Sequence, residues 1–178
     1  MAVLDGEARR KELVALLKKS QRPISGSELA KRFLVSRQVI VQDIALLRAT
    51  NKNILSTNKG YVIYDPDTGT RTVRRTMSVF HSDEDIREEL YLIVDNGGRV
   101  LDVVVEHEIY GQITADLILK NRRDVDEFAD KLSRIGDRPL KVLTGGVHFH
   151  TVEADAPEIL DRVEEQLKEK GFWFELQI

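Results

Sequence analysis

The chain has 178 residues, of which 32% are charged and none is cysteine. This composition excludes disulfide bonds and thiolate chemistry, and a chain of this length forms one medium domain or two small ones. The N-terminus lacks an apolar signal core, and no segment of the sequence is long and apolar enough to cross a bilayer. We therefore expect a cytoplasmic protein that has no membrane partner.

The net charge of −3 hides a strong asymmetry along the chain. Residues 1–64 contain twelve Lys or Arg and five Asp or Glu, a net charge of +7, whereas residues 79–178 carry −11. A basic head on an acidic body is typical of proteins that bind a polyanion, although an uneven solvated surface gives the same pattern. The intervening segment is rich in Pro, Gly and Thr and has no helical periodicity. We expect domains at 1–65 and 79–178, joined by a linker at 66–78.

The basic segment predicts three short helices and a hairpin. Apolar residues recur at helical spacing in residues 13–17, 29–33 and 40–47, and Ser36 is placed to cap the third helix. Residues 54–64 predict two strands around a tight turn. Three helices followed by a hairpin is the order of a winged helix-turn-helix domain.

The third predicted helix indicates that this domain binds DNA. Its buried side leaves polar residues exposed around its N-terminal half, and a recognition helix reads bases with its N-terminal residues. Arg can bind guanine and Gln can bind adenine bidentately in the major groove. A solvated helix in a small helical domain is the alternative. The predicted DNA interface consists of Ser36, Arg37, Gln38, Val41, Gln42, Arg48 and Lys59.

The acidic segment predicts an α/β domain, so the whole chain is expected to have an α+β fold. A helix begins after Ser82, and from Val100 the pattern is close to β-α-β-β-α-β. That order predicts a ferredoxin-like antiparallel sheet with its helices on one face. The strands are expected at residues 100–106, 109–119, 140–143, 147–153 and 172–178.

All four histidines of the chain lie in the acidic segment. His148 and His150 occupy alternate positions of a predicted strand, so both imidazoles point to one face, as two surface histidines would also do. His81 precedes a predicted helix, in which Glu89 lies at the edge of the buried side and Glu88 points away. A site built from His81, Glu89, His148 and His150 would offer three nitrogens and one carboxylate, which suits Zn, Ni, Fe or Mn.

Four further residues are candidates for contact with an effector. His107 and Tyr110 lie in the segment VEHEIYG, and Arg122 and Arg123 precede a predicted helix. The alternative for His107 is a turn histidine hydrogen-bonded between two acids. The alternative for the arginine pair is a solvated, helix-stabilising role.

Several motifs resemble one known family over nearly the whole chain. VSRQVIVQDIALLR resembles the recognition helix of the HTH_11 class of winged helices, while FHSDEDIREEL, VVVEHEIYGQI, NRRDVDEF and LTGGVHFHTV resemble the three-histidine domain. Together they are similar to the NiaR-type niacin-responsive transcriptional repressors. The resemblance implies a homodimeric repressor of NAD biosynthesis or niacin-uptake genes that binds a double-stranded DNA operator. It also implies nicotinic acid as co-repressor, and one divalent nickel or zinc ion per chain at His81, Glu89, His148 and His150.

Two other functions are compatible with these residues. Three histidines and one carboxylate with an open position are also a catalytic layout, so a metal-dependent hydrolase fused to a DNA-binding domain is an alternative. A structural metal in a domain without a small ligand is the other. Apart from Glu106 and Glu153, no general base is evident near the cluster, which favours a repressor that is not an enzyme.

Overall fold

A computed structural model of the chain describes residues 5–20, 22–50, 53–64, 72–136 and 138–175. The chain divides into two compact units, Met1–Thr68 and Gly69–Ile178. Each unit has its own apolar core. Among the described helices, none has both the length and the apolarity that a bilayer span requires.

The N-terminal unit contains three helices and a two-stranded antiparallel sheet. Each helix is preceded by a capping residue whose side chain accepts a hydrogen bond from a backbone N–H three residues later, namely Asp5, Ser25 and Ser36. The predicted helix-turn-helix arrangement is confirmed. Its elements are α1 (Gly6–Lys19), α2 (Gly26–Phe33), α3 (Arg37–Ala49), β1 (Ile54–Thr57) and β2 (Gly60–Ile63).

The hairpin is joined to the helices by a backbone bridge between Ile24 and Tyr61. Each of these residues donates its N–H to the carbonyl of the other, at N···O distances of 2.9 and 2.8 Å. Gly60 makes this close approach possible, because its φ is +135° and a Cβ on it would lie 2.3 Å from the Ile24 carbonyl oxygen. The hairpin and the segment before α2 therefore form one connected layer.

The C-terminal unit is a four-stranded antiparallel sheet with three helices. The α+β class and the antiparallel sheet are thus confirmed. The strands lie in the order β3-β6-β4-β5. The elements are β3 (Val73–Phe80), α4 (Ile86–Asp95), β4 (Arg99–His107), β5 (Gly111–Leu119), α5 (Arg122–Ile135), a 3-10 helix η1 (Leu140–Thr144), β6 (Val147–Ala154) and α6 (Pro157–Glu169).

One face of this sheet packs against the helices. Alternate residues of the strands form a single buried cluster with apolar residues of α4, α5 and α6, as the period of two along a strand requires. In β6 the residues on this face are His148, His150, Val152 and Ala154, all of them buried. The histidine pair therefore points into the layer between the sheet and the helices.

The structure corrects the predicted linker and the start of the β-α-β-β-α-β order. Residues 73–78, predicted as linker, form most of β3, so the order begins at Val73 rather than at Val100. The sequence did not predict this strand because its first half is polar. Strand β3 lies at the edge of the sheet, and its residues Arg74, Arg75 and Thr76 are not buried in the core of the unit. The remaining linker residues 66–71 lie outside the described residues.

Two predicted strands are also corrected. Residues 140–143 belong to η1, where Val142 and Leu143 are exposed and positive φ angles at the two following glycines set the turn into β6. The predicted strand 172–178 is reduced to one bridge between Val79 and Trp173 in the described residues. Trp173 comes directly after the turn that ends α6, and residues 176–178 lie outside the described part.

Candidate metal centre and DNA-reading helix

Four polar side chains meet in the core of the C-terminal unit. Glu89 lies on α4, His148 and His150 lie on β6, and His81 follows the last residue of β3. Their exposed fractions are 1%, 3%, 3% and 7%, respectively. Buried titratable groups in such number require mutual pairing or a bound ion.

The side chains face one another closely. Glu89 Oε2 lies 3.2 Å from His81 Nε2, and Glu89 Oε1 lies 3.3 Å from His150 Nε2. The His148 ring centroid is 4.9 Å from that of His81 and 5.1 Å from that of His150. Ligand atoms of His81, Glu89 and His148 all lie within 4.8 Å of one another, and His150 completes the cluster from the Glu89 side.

Backbone carbonyls determine which nitrogen of each ring carries the proton. His81 Nδ1 lies 2.8 Å from the Ser82 oxygen, His148 Nδ1 lies 2.9 Å from the Gly146 oxygen, and His150 Nδ1 lies 2.6 Å from the Asp102 oxygen. A carbonyl oxygen only accepts, so each Nδ1 donates and each Nε2 of a neutral ring keeps its lone pair. This is the arrangement that orients histidines for binding a metal through Nε2.

Two polar atoms of the cluster are left unsatisfied in a way that a bound cation would relieve. His81 Nε2 and Glu89 Oε1 are buried and have no hydrogen-bond partner among the described residues. A lone pair that faces a carboxylate is costly, whereas a cation between them would satisfy both. Three imidazole nitrogens and one carboxylate fit a late first-row divalent ion.

The environment sets the charge of each ligand. Burial raises the pKa of Glu89, but the electrostatic attraction of the neighbouring histidines, chiefly His150, outweighs it and holds that pKa below its usual range. Burial, together with His150, lowers the pKa of His148 to about 4. Burial also disfavours protonated His150, but Glu89 more than compensates and raises the pKa of His150. Near neutral pH, Glu89 is therefore ionised and His148 neutral, as a metal site requires.

A cavity of about 270 Å³ lies beside the cluster. Glu89, His148 and His150 contribute its buried polar lining, while Arg138 contributes an exposed cation. The other polar lining residue, Lys141, is buried. The remaining lining is apolar and consists of Ile86, Leu90, Val103, Ala115, Leu117, Phe128, Leu132, Pro139 and Leu140.

The residues that the sequence suggested for effector contact do not line this cavity. His107 and Tyr110 lie at the β4–β5 turn with ring centroids 5.0 Å apart, and Tyr110 is 77% exposed. The His107 Nδ1 accepts the backbone N–H of Ile109 at 3.2 Å. His107 thus stabilises the turn.

The predicted arginine pair is engaged in surface ion pairs. Arg122 forms a two-pronged pair with Asp95, with an Nη2–Oδ2 distance of 2.6 Å, and its guanidinium lies over the Tyr91 ring. Arg123 Nε lies 3.0 Å from Glu127 Oε1. Sequence reasoning missed Arg138 and Lys141, because neither lies in a periodic polar pattern that marks a site.

Helix α3 presents the side chains that were predicted to read DNA. Arg37, Gln38, Val41 and Gln42 are exposed, whereas Ser36 caps the helix by accepting the Val39 N–H at 3.3 Å. One of the predicted interface residues, Arg48, has a structural contact and lies outside the N-terminal half of α3. Arg48 Nε donates to the Ile54 oxygen at 2.7 Å, so this residue ties α3 to β1. Lys59 lies in the turn between β1 and β2.

A buried acid fixes the opposite side of α3. Asp43 is 2% exposed, and its carboxylate lies 2.6 Å from Arg9 Nε and 3.3 Å from Arg10 Nη1 on α1. Two arginines on the neighbouring helix therefore compensate for the burial of this charge. The pairing orients α3 so that its polar N-terminal side faces outward.

The chain is similar to known proteins over both units. Residues 9–62 match the family described as HTH domain, and residues 74–176 match the family described as 3H domain. A Thermotoga maritima protein named probable transcription repressor NiaR is 43% identical over 169 residues, which cover 95% of each chain. The Bacillus subtilis protein named transcription repressor NadR is 42% identical over 169 residues, which cover 94% of each chain.

These relatives exclude one of the functions that the sequence left open. Both are named as repressors and match nearly the full length, so the hydrolase alternative is set aside and the chain is a regulator rather than an enzyme. The matched HTH domain begins at Arg9 within α1 and includes all of α2 and α3. The chain therefore belongs to the family of transcription repressors that includes NiaR and NadR.

Proposed function

We propose that this repressor senses nicotinic acid through a metal-containing pocket in its C-terminal unit and controls genes of NAD biosynthesis or niacin uptake. The observation that carries the proposal is the position of the buried His81, Glu89, His148 and His150 cluster beside an apolar cavity. Such a pocket, with few polar groups at fixed positions, is the usual form of a small-molecule site. We place the protein and its DNA target in the cytoplasm.

The metal ligands of the proposal are His81, Glu89, His148 and His150. The donation of all three Nδ1 protons to backbone carbonyls and the unpartnered Glu89 Oε1 support this assignment. One nickel or zinc ion per chain would suit these ligands and, when bound, would supply a Lewis-acidic position for an effector atom. The residues themselves orient the ligand atoms and exclude water from the site.

The cavity suits a small aromatic acid. Its volume of about 270 Å³ is at the lower limit for ligand pockets, so it selects a molecule smaller than most drugs. Apolar side chains would enclose a pyridine ring, and the Arg138 guanidinium makes no hydrogen bond or ion pair with any described residue. We assign Arg138, in place of Arg122 or Arg123, as the partner of the effector carboxylate.

DNA binding is assigned to the exposed N-terminal half of α3. Arg37, Gln38 and Gln42 are the base-reading candidates there, and Lys59 is placed to contact phosphate. We propose that the protein acts as a homodimer whose two recognition helices lie about one DNA turn apart. Nicotinic acid acts as co-repressor if it binds more tightly to that dimer geometry than to others.

A titration of palindromic operator DNA with the full chain tests the proposal. With Ni²⁺ or Zn²⁺ present, nicotinic acid should tighten operator binding by about 5- to 150-fold, the usual range of coupling between two sites. Nicotinamide, which lacks the carboxylate, serves as the matched ligand control and should have a smaller effect. Operator affinity that is the same with and without nicotinic acid would contradict the co-repressor assignment.

The reading residues can be tested by single substitutions. Arg37→Ala and Gln38→Ala should each weaken binding to the operator by about 1–3 kcal/mol, because each removes a bidentate base contact. Lys11→Ala, which removes an exposed cation from α1, is the control for a change in charge alone. If the same loss occurs on random DNA, these side chains contact phosphate rather than bases.

The assignment of Arg138 predicts a change in effector affinity. Arg138→Gln should weaken nicotinic acid binding by about ten- to a hundredfold, because a charge-assisted hydrogen bond contributes about 1.5–3 kcal/mol. Calorimetry on the metal-loaded protein measures this change. The matched control is Arg123→Gln, which alters an exposed arginine paired with Glu127 and should leave the affinity unchanged. The reverse pattern would place the carboxylate at α5.

A further inference from the structure

Lys141 is a buried cation next to the metal cluster. It is 3% exposed although it is charged, and its neighbours in η1 are apolar. Its Nζ donates to the carbonyl oxygens of His81 and Ser82, both at 2.7 Å, and lies 3.1 Å from Asp83 Oδ1. All of these acceptors belong to the three-residue segment that carries the ligand His81.

That segment is the part of the cluster with the least backbone support. Glu89 lies within a helix, and His148 and His150 lie within a strand paired on both sides. His81 instead follows the end of β3 in a segment without regular hydrogen bonding. Its ring position is therefore not fixed by secondary structure.

One carbonyl links Lys141 to the orientation of that ring. The Ser82 oxygen accepts the Lys141 Nζ proton at 2.7 Å and the His81 Nδ1 proton at 2.8 Å, and more weakly the Asp85 N–H at 3.3 Å. Lys141 Nζ is itself 3.3 Å from His81 Nδ1, and since Nδ1 already donates to Ser82, the ammonium is directed to the carbonyls. The lysine thereby fixes the acceptor that leaves the His81 Nε2 lone pair facing Glu89.

We propose that Lys141 is the positioning residue of His81 and prepares it to bind the metal. The proposal rests on the metal centre of the proposed function, but not on its effector or its DNA target. A positioning role and a purely electrostatic role of Lys141 predict opposite changes in metal affinity. A fixed ammonium repels a nearby metal cation, so a purely electrostatic role means that its removal strengthens metal binding. A positioning role means that its removal weakens metal binding.

Metal titration of the full chain with Co²⁺, followed by the absorption spectrum of the bound ion, distinguishes these roles. Lys141→Met keeps most of the side-chain volume and removes the donors. We expect Co²⁺ affinity to fall by about ten- to a hundredfold, the usual effect of losing a group that orients a metal ligand. The visible spectrum should change toward that of His81→Ala. Lys120→Met, at an exposed lysine of the same unit, is the control and should match the wild type.

A double substitution tests whether Lys141 acts through His81. In the His81→Ala background, Lys141→Met should cause little further loss of Co²⁺ affinity, because the residue it positions is already absent. Full additivity of the two losses, unchanged affinity, or tighter binding in K141M would each overturn the proposal. If K141M does not fold, as judged by circular dichroism, Lys141→Gln replaces it in both comparisons, because its amide nitrogen keeps two of the three N–H donors and K141Q should lose less affinity than H81A. A wild-type chain that binds no Co²⁺ overturns the metal centre itself, and with it this proposal.

Discussion

Replacing His148 by alanine should abolish the response to nicotinic acid while leaving basal DNA binding intact. His148 lies between His81 and His150 in the cluster, and its low pKa keeps it neutral and able to bind a metal. We expect metal affinity to fall by more than a hundredfold, beyond the effect of losing an orienting group. Operator affinity of H148A should then be the same with and without nicotinic acid.

The chain provides a matched control for this experiment. His107→Ala removes a histidine of the same unit that lies at the β4–β5 turn, away from the cavity lining. This variant should retain both metal binding and the nicotinic acid response. Loss of the response in H107A together with its retention in H148A would move the effector site to that turn.

Chelation separates a sensing metal from a structural one. The core of the C-terminal unit consists of many buried apolar residues, and each cluster histidine already has a backbone acceptor. We therefore expect EDTA to remove the nicotinic acid response and to leave the circular dichroism spectrum nearly unchanged. Unfolding upon chelation would favour a structural ion.

The second large effect is expected at Gly60 in the N-terminal unit. In Gly60→Ala the new Cβ would lie 2.3 Å from the Ile24 oxygen and 2.7 Å from the Ser25 nitrogen, at a φ of +135°. Both neighbours are backbone atoms, so relief requires breaking the bridge between Ile24 and Tyr61. We expect a loss of about 3 kcal/mol or more in the free energy of unfolding of this unit, together with weaker DNA binding.

Two probes follow this change in the full chain. Circular dichroism during denaturant unfolding should show an earlier helical transition, whereas fluorescence of Trp173, the one tryptophan of the sequence, reports on the C-terminal unit and should not shift. Gly6→Ala is the control, because the atoms nearest to its Cβ would be the ends of the Arg9 and Arg10 side chains, at 3.1 Å or more, rather than backbone at 2.3 Å. Its effect should stay within about 0.5 kcal/mol. An unshifted helical transition in G60A would contradict the close packing of the hairpin.

Strong periodicity made parts of this structure predictable. Apolar spacing in α3 defines its buried side, and a period of two sends His148 and His150 to one face of β6. Helical phase also separates Glu88 from Glu89, of which the first is exposed and the second is 1% exposed. In each of these cases one element alone contains the information.

Features that depend on a partner element were not predictable in this way. Residues 74–76 of strand β3 form a polar run because the strand lies at the edge of the sheet, and η1 has apolar residues that lie on the surface. The placement of Arg138 and Lys141 at the cavity depends on how the chain returns from α5 to β6, which local spacing does not determine. Lys141 points inward because its Nζ donates to the carbonyl oxygens of residues 81 and 82, which lie about sixty residues earlier in the chain.

The acceptors that hold the three cluster histidines have a consequence for protein engineering. All three are main-chain carbonyls, at Ser82, Asp102 and Gly146, and a side-chain substitution at such a position does not delete the oxygen. Gly146 is the one of these three positions that does not tolerate a substitution, because its φ of +106° and its contact with Phe80 leave no room for a Cβ. Grafting this centre into another scaffold therefore requires copying a backbone path as well as four side chains, with a glycine before the H-x-H strand.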